Sequence, residues 1–174
     1  LNWDDIEKNV KYLQKKSFLE IGCATGEMLT EALQRGWDEI KGIEIEPECC
    51  EIAQSNALPV VRASFENMEP LTEAFDLIFA DNVIEHLMEP QQALLKCARM
   101  QTSGDCLILR LPDTPSEGPT LKLIDHTYHF TRTSISTILS MSGYHVHSIF
   151  HSGTYLGPKE GQCIENMTVI AYKI

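Results

Sequence analysis

The sequence predicts an α/β fold assembled from βαβ units, and three observations carry that prediction. Short apolar runs alternate along the chain with segments of helical periodicity, the pattern of a parallel sheet with crossover helices. The run Phe18-Leu-Glu-Ile-Gly-Cys-Ala-Thr-Gly26 ends in an acid and then breaks into a tight glycine turn. A second run ends at Gly42-Ile-Glu-Ile-Glu-Pro47, which sets Glu20 and Glu44 24 positions apart at two strand ends. A strand that turns sharply through glycine into a helix brings backbone N–H groups close to a ligand, and a carboxylate on the next strand can accept two ribose hydroxyls. The pair therefore predicts a site for a nucleoside-bearing cofactor.

Asn2 caps an expected helix over 2–15, with Trp3, Ile6, Val10 and Leu13 on one face, acids at its start and lysines at its end. Such a helix, spanning the N-terminal segment 1–16, can cover the cofactor cleft. A strand over 17–23, a helix over 27–35 closed by Gly36, a strand over 40–45 and a helix over 47–55 opened by Pro47 build the first βαβ unit and extend it. A third strand is expected over 59–63 and a fourth over 75–80. The helix over 90–101 gathers Ala93, Leu94, Cys97 and Ala98 on one face and stops at Ser103-Gly104; a fifth strand follows over 106–111. After Pro112 a Pro, Gly and Ser-rich stretch breaks regular structure, and 112–130 is the expected substrate loop. Thr131 then caps a helix carrying Ile135, Ile138 and Leu139 up to Gly143. Two last strands, 145–150 and 167–172, are joined by a glycine-rich loop over 153–161, long enough for a hairpin.

The 174 residues show no internal repeat or linker and read as one domain, long enough to bury a good core. No 18-residue apolar stretch and no signal-peptide pattern occur, so a soluble, cytoplasmic protein without a membrane partner is expected. The six cysteines form no C-x-x-C pair and several fall inside apolar runs, which fits reduced thiols acting as small hydrophobes. A net charge of −11 disfavours a phosphate-backbone partner, since nucleic-acid binding draws on clustered Lys and Arg. The chain opens at Leu1 rather than Met, so a preceding segment is expected. Nothing in the sequence sets the oligomeric state.

Charge also selects among nucleoside cofactors. Dinucleotide binders use G-x-G-x-x-G facing a pyrophosphate, whereas this chain has Ala24 and Glu27 at the second and third glycine positions. A carboxylate at Glu27 repels a pyrophosphate. S-adenosyl-L-methionine has no phosphate and carries a sulfonium and an ammonium, so an acidic turn suits it better than it suits NAD.

Taken together, Glu20-Ile-Gly-Cys-Ala-Thr-Gly26, Gly42-Ile-Glu44, Phe75-Asp-Leu-Ile-Phe-Ala-Asp-Asn-Val-Ile-Glu-His86 and His126-Thr-Tyr-His-Phe-Thr131, followed by Ser142-Gly-Tyr144, give the chain a close family likeness along nearly its whole length. It resembles the class I S-adenosylmethionine-dependent methyltransferases of small-molecule type, including the ubiquinone-biosynthesis O-methyltransferases. The resemblance implies a Rossmann-like sandwich: a seven-stranded, mostly parallel sheet with the last strand antiparallel and helices on both faces. It also implies methyl transfer to a small-molecule acceptor, with a hydroxyl oxygen ahead of nitrogen or carbon. By the same resemblance Glu20, Gly22, Cys23, Ala24 and Gly26 surround the methionine part, Glu44 holds the ribose hydroxyls and Ile45 packs on the adenine. Ser64 stands where many relatives have an acid for the adenine amine; Phe65 after it reads either as an adenine platform or as core. Asp81 and Asn82 follow the fourth strand, beside the expected position of the methyl group.

The sulfonium already activates the methyl group, so the protein mainly aligns the acceptor and excludes water. An oxygen nucleophile of high pKa also needs its proton removed, and neutral histidine is the usual base. The candidates are His86, His126 and His129. His86 reads equally as a base and as a structural hydrogen-bonding residue, and His126 and His129 as bases or as exposed loop residues. Asn82, Glu85 and His86 occupy the place of the Glu-x-x-Glu-His of ubiquinone-type enzymes, but the leading acid is an amide, so no metal is expected. His145, His147 and His151 alternate along a strand and read as surface residues. The contrary readings are a protein that binds the cofactor without catalysis and a nucleotide-dependent oxidoreductase.

Overall fold

The computed structural model describes residues 3–10, 16–114, 126–156 and 163–174. In chain order the elements are α1 (Trp3–Asn9), β1 (Ser17–Ile21), α2 (Glu27–Gln34), β2 (Glu39–Glu44), α3 (Pro47–Ser55), β3 (Val60–Arg62), β4 (Leu77–Asp81), α4 (Pro90–Arg99), β5 (Cys106–Pro112), α5 (Arg132–Met141), β6 (Tyr144–Leu156) and β7 (Cys163–Lys173). A single 3-10 turn, Ile84–His86, sits between β4 and α4. The seven strands form one sheet in the order β3-β2-β1-β4-β5-β7-β6. β1 to β5 run parallel; β7 pairs antiparallel with both β5 and β6. The chain reverses direction in strand order at β1 and β4, and in open α/β sheets the crevice beyond such a switch point receives the ligand.

Strand periodicity of two divides the core between the faces. On one face Ile78, Ala80, Leu107, Leu109, Met167 and Val169 pack under Ala93, Leu94 and Cys97 of α4 and Ile135 and Leu139 of α5. On the other Phe18, Leu77, Phe79, Ile108 and Ile170 pack against Trp3 and Ile6 of α1, Leu29 and Ala32 of α2, and Cys50 and Ala53 of α3. Helices thus cover both faces, which is why the central strands are apolar without alternation.

Most element bounds agree with the sequence to within two residues, and the departures at α1, β4, β6 and β7 have physical reasons. α1 ends at Asn9, whose side-chain amide donates to the Asp5 carbonyl at 2.7 Å. It is tied to α2 by Arg35, which bonds Asp4 and Glu7, and by Trp3 Nε1, which donates to the Met28 carbonyl at 3.0 Å. The rest of the expected helix, 11–15, lies outside the described residues. The fourth strand begins two residues late because Asp76 is engaged at the foot of the sheet, where its carboxylate accepts from Ser17 N and Oγ at 2.8 and 2.9 Å. β6 and β7 run well into the expected loop, through register shifts at 146/148 and 151/154 that accommodate Gly153 at φ 108°. Residues 115–125 of the expected substrate loop also lie outside the described residues. Five cysteines are free among the described residues. No helix there is long and apolar enough to cross a membrane.

Candidate functional site

The turn after β1 packs left-handed residues into a short span: Gly22 (φ 72°), Ala24 (φ 46°) and Gly26 (φ 83°). The N–H groups of Gly22 and Cys23 both donate to the Ile43 carbonyl, at 2.8 and 3.2 Å, fastening the turn to β2. At Gly22 and Gly26 a Cβ would lie 2.6 Å from Val83 and 2.3 Å from Leu58, so both positions need glycine for space as well as for conformation. Ala24 adopts a conformation that L residues avoid, and its N–H donates to Glu44 Oε2 at 2.7 Å. Glu44 Oε1 accepts from Glu46 N, also at 2.7 Å. The buried Glu44 carboxylate is therefore a clamp that holds the turn and the end of β2 together.

Glu20 is 6% exposed, and its Oε2 is buried without a hydrogen bond among the described residues. Burial, followed by the charges of Asp81, Glu44 and Glu27, pushes its carboxyl up to about 8. A carboxyl desolvated among other acids holds its proton until a nearby cation stabilises the carboxylate. Cys23 lies beside them with its thiol pushed up to about 12, chiefly by burial and then by Glu20, so it stays protonated. Ile45 is exposed just past β2, open to an aromatic ring. Ser64 uses its carbonyl to receive the N–H groups of Asn67 and Met68, both at 3.1 Å. Phe65 is buried in the core with the Lys96 ammonium 5.0 Å from its ring centroid, which favours the core reading over the adenine platform.

Asp81, at the end of β4, is engaged by a neighbour that the sequence did not reveal. Arg110 on β5 is its register partner, and Arg110 Nη1 donates to both carboxylate oxygens at 3.0 Å. Asn82 (φ 51°) donates its side-chain amide to Asp81 Oδ1 at 2.8 Å and its backbone N–H to the Arg110 carbonyl at 2.8 Å. The available signal was a lone charge inside the apolar run Cys-Leu-Ile-Leu-Arg-Leu-Pro.

The three candidate histidines converge. The His86 and His126 ring centroids are 4.8 Å apart at 89°, and those of His126 and His129 are 5.9 Å apart. Residues 126–130 dock on the 3-10 turn through Tyr128 N to the Glu85 carbonyl (2.9 Å), Thr127 Oγ1 to the His86 carbonyl (3.1 Å) and Tyr128 OH to the Met88 carbonyl (3.1 Å). His129 Nδ1 is buried and makes no hydrogen bond among the described residues. The metal pattern of ubiquinone-type enzymes does not fit as written, because Asn82 turns its amide to Asp81. Donor atoms of Glu85, His86 and His126 nevertheless lie within 4.8 Å of one another. His145, His147 and His151 are exposed on β6, separated by its register shifts.

A family profile described as "Methyltransferase domain" matches residues 19–109, from β1 through most of β5. The chain belongs to this methyltransferase family. S-adenosyl-L-methionine is accordingly its cofactor, and the buried acids beside the first turn fit a cationic, phosphate-free ligand. Similar curated proteins include the ubiquinone biosynthesis O-methyltransferase of Leptothrix cholodnii, 26% identical over 117 residues (63% of this chain, 48% of that protein). Another is the tRNA U34 carboxymethyltransferase of Shewanella oneidensis, 25% identical over 115 residues (62% of this chain, 34% of that protein). The methyltransferase thus spans about half or less of the length of these relatives. Its fold matches that of an S-adenosylmethionine-dependent methyltransferase from Mesorhizobium loti, with a TM-score of 0.80, 11% identity and coverage of 98% of this chain and 97% of the other.

Proposed function

We propose that the protein transfers a methyl group from S-adenosyl-L-methionine to a hydroxyl oxygen of a small molecule, with His129 receiving the proton. The bound cofactor supplies a methyl group already activated by its sulfonium. Glu20 attracts the cationic methionine part, while Glu44, with one lone pair of each oxygen given to a backbone N–H, keeps capacity to accept the ribose hydroxyls. Ile45 packs on the adenine, and the backbone around Ser64 borders it. The observation that carries the assignment is the meeting of His86, His126 and His129 beyond β4. Of the three rings, His129 has a nitrogen, Nδ1, that no hydrogen bond among the described residues occupies, which leaves it a lone pair for a proton. The relatives include both small-molecule and tRNA enzymes, and a net charge of −11 supports the small molecule. The described ends of the expected substrate loop, 112–114 and 126–130, border the acceptor side of the site.

Purified protein incubated with labelled cofactor and panels of phenols, aliphatic alcohols, amines and tRNA tests the reading. Label and S-adenosylhomocysteine should appear with a hydroxyl compound, and His129→Gln should lower turnover by about 100-fold or more while leaving cofactor affinity unchanged. Label in tRNA or amines alone, or full turnover in the variant, overturns the acceptor or the base.

A further inference from the structure

We infer that Arg110, Asn166 and Thr168 form a subsite for a carboxylate group of the methyl acceptor, so that the acceptor is a hydroxy acid. The three residues share one face of the sheet. Thr168 on β7 is the register partner of Arg110 on β5, and Asn166 is the partner of Pro112 two positions further on. Paired residues of adjacent strands, and residues two apart on one strand, point to the same side. Ile108 and Ile170, the next pair inward, belong to the apolar core of that side, so the polar group sits between the core and the carboxyl edge of the sheet. Asn166 is 1% exposed and Thr168 0%, yet both amide atoms of Asn166 and the Thr168 hydroxyl make no hydrogen bond among the described residues, and neither does the buried Arg110 Nε. Buried polar groups are nearly always paired, so four unpaired atoms on one face of two adjacent strands point to a ligand that pairs them.

The guanidinium sets the ligand class. Asp81 takes Nη1, through both carboxylate oxygens at 3.0 Å. Nε and Nη2 form the other edge and can donate in parallel; among the described residues Nη2 reaches only the Ser152 carbonyl at 3.5 Å, the outer limit of a hydrogen bond. Two parallel N–H groups match the two oxygens of a carboxylate, and the Thr168 hydroxyl and Asn166 amide supply donors for its remaining lone pairs. Asp81 stands across the guanidinium and also receives the Asn82 amide, so the two carboxylates lie on different sides of one cation. Ser152 and Gly153 sit in the second register shift of β6, and displacement of the long Ser152 contact by a ligand oxygen opens the edge. Arg110 is the register partner of Asp81, beside which the methyl group is expected, so an acceptor held here spans one to two strand spacings, about 5–10 Å, from hydroxyl to carboxylate. That span rests on the reaction proposed above; the carboxylate subsite does not.

The test uses the full chain saturated with S-adenosylhomocysteine, which has no methyl group to transfer. It is titrated calorimetrically with meta-hydroxybenzoate, para-hydroxyphenylacetate and ω-hydroxyhexanoate, each beside its methyl ester. One equivalent of at least one acid should bind, about 10-fold or more tighter than its ester, as hydrogen bonds to a charged group require. Arg110→Lys keeps the charge beside Asp81 but loses the fork, and should weaken that acid by about 10-fold while leaving the ester as it was. Thr168→Val keeps the shape and removes an unpaired hydroxyl, so the melting temperature without acid should hold or rise while acid binding weakens by about 3-fold or more. Should Arg110→Lys melt early, Thr168→Val and the acid-to-ester ratio of the parent decide. No acid binding, equal binding of acid and ester, or a folded Arg110→Lys that binds acid as tightly as the parent overturns the subsite. A lowered melting temperature with unchanged acid affinity in Thr168→Val overturns it as well, since the hydroxyl then serves folding alone. Binding is read without methyl transfer, so an acid that binds but is not methylated at its hydroxyl sinks only the reaction proposed above. Hydroxyl compounds methylated with no preference for acids sink this inference alone.

Discussion

Around β1 and β2 the sheet edge is held by main-chain bonds and one buried carboxylate, whereas around β4 and β5 it is held by side chains from distant segments. In the first region Gly22, Cys23 and Ala24 are fixed by the Ile43 carbonyl and by Glu44 within a stretch of 23 residues. In the second, Asp81 is bound by Arg110, and the 3-10 turn is bound by residues 126–128, some 40 positions away. The cofactor half is thus a compact local device. The half proposed to meet the acceptor is a mosaic of distant segments, which suits a fold on which sites vary over a shared scaffold.

The sharpest way to break this contrast is through Glu20. In the unfolded chain its carboxyl ionises near 4.5, and in the folded chain near 8. Between those values the native state holds a proton that the unfolded state has released, so stability falls as pH rises through that window, by up to about 1.4 kcal/mol per pH unit. Glu20→Gln removes the decline, and chemical denaturation across the window should show a flatter profile than the parent's. Identical profiles would mean that the buried acids do not load the cofactor half.

A smaller effect is expected from Glu44→Ala. It removes a carboxylate that accepts two backbone N–H groups at 2.7 Å each, and leaves both donors without it. Stability should drop by about 3 kcal/mol, with weaker S-adenosylhomocysteine binding by calorimetry. Unchanged affinity would remove Glu44 from the ribose.

Thr131→Ala probes the other half with the smallest effect. Thr131 and Ser134 form a reciprocal capping box at the start of α5, directly after the histidine segment. Its loss should cost about 1 kcal/mol of stability and leave cofactor affinity untouched. A coupled loss of affinity would show that the halves are not independent.

What the sequence by itself determined is whatever depends on near neighbours. The glycine turn, the acids at 20 and 44, Pro47 and Pro90 at the starts of α3 and α4, and the Thr131 cap were all legible, because propensity, capping and periodicity act within a few residues. The tertiary structure alone decided the rest. Strand order sets β4 beside β5 and so brings Arg110 to Asp81. Packing under α4 takes Phe65 into the core, with Lys96 over its ring. The docking of 126–130 on the 3-10 turn turns three scattered histidines and Glu85 into one cluster. Each of these joins residues about 30 to 40 positions apart, a separation over which local patterning carries no information and only sheet register and side-chain packing choose partners.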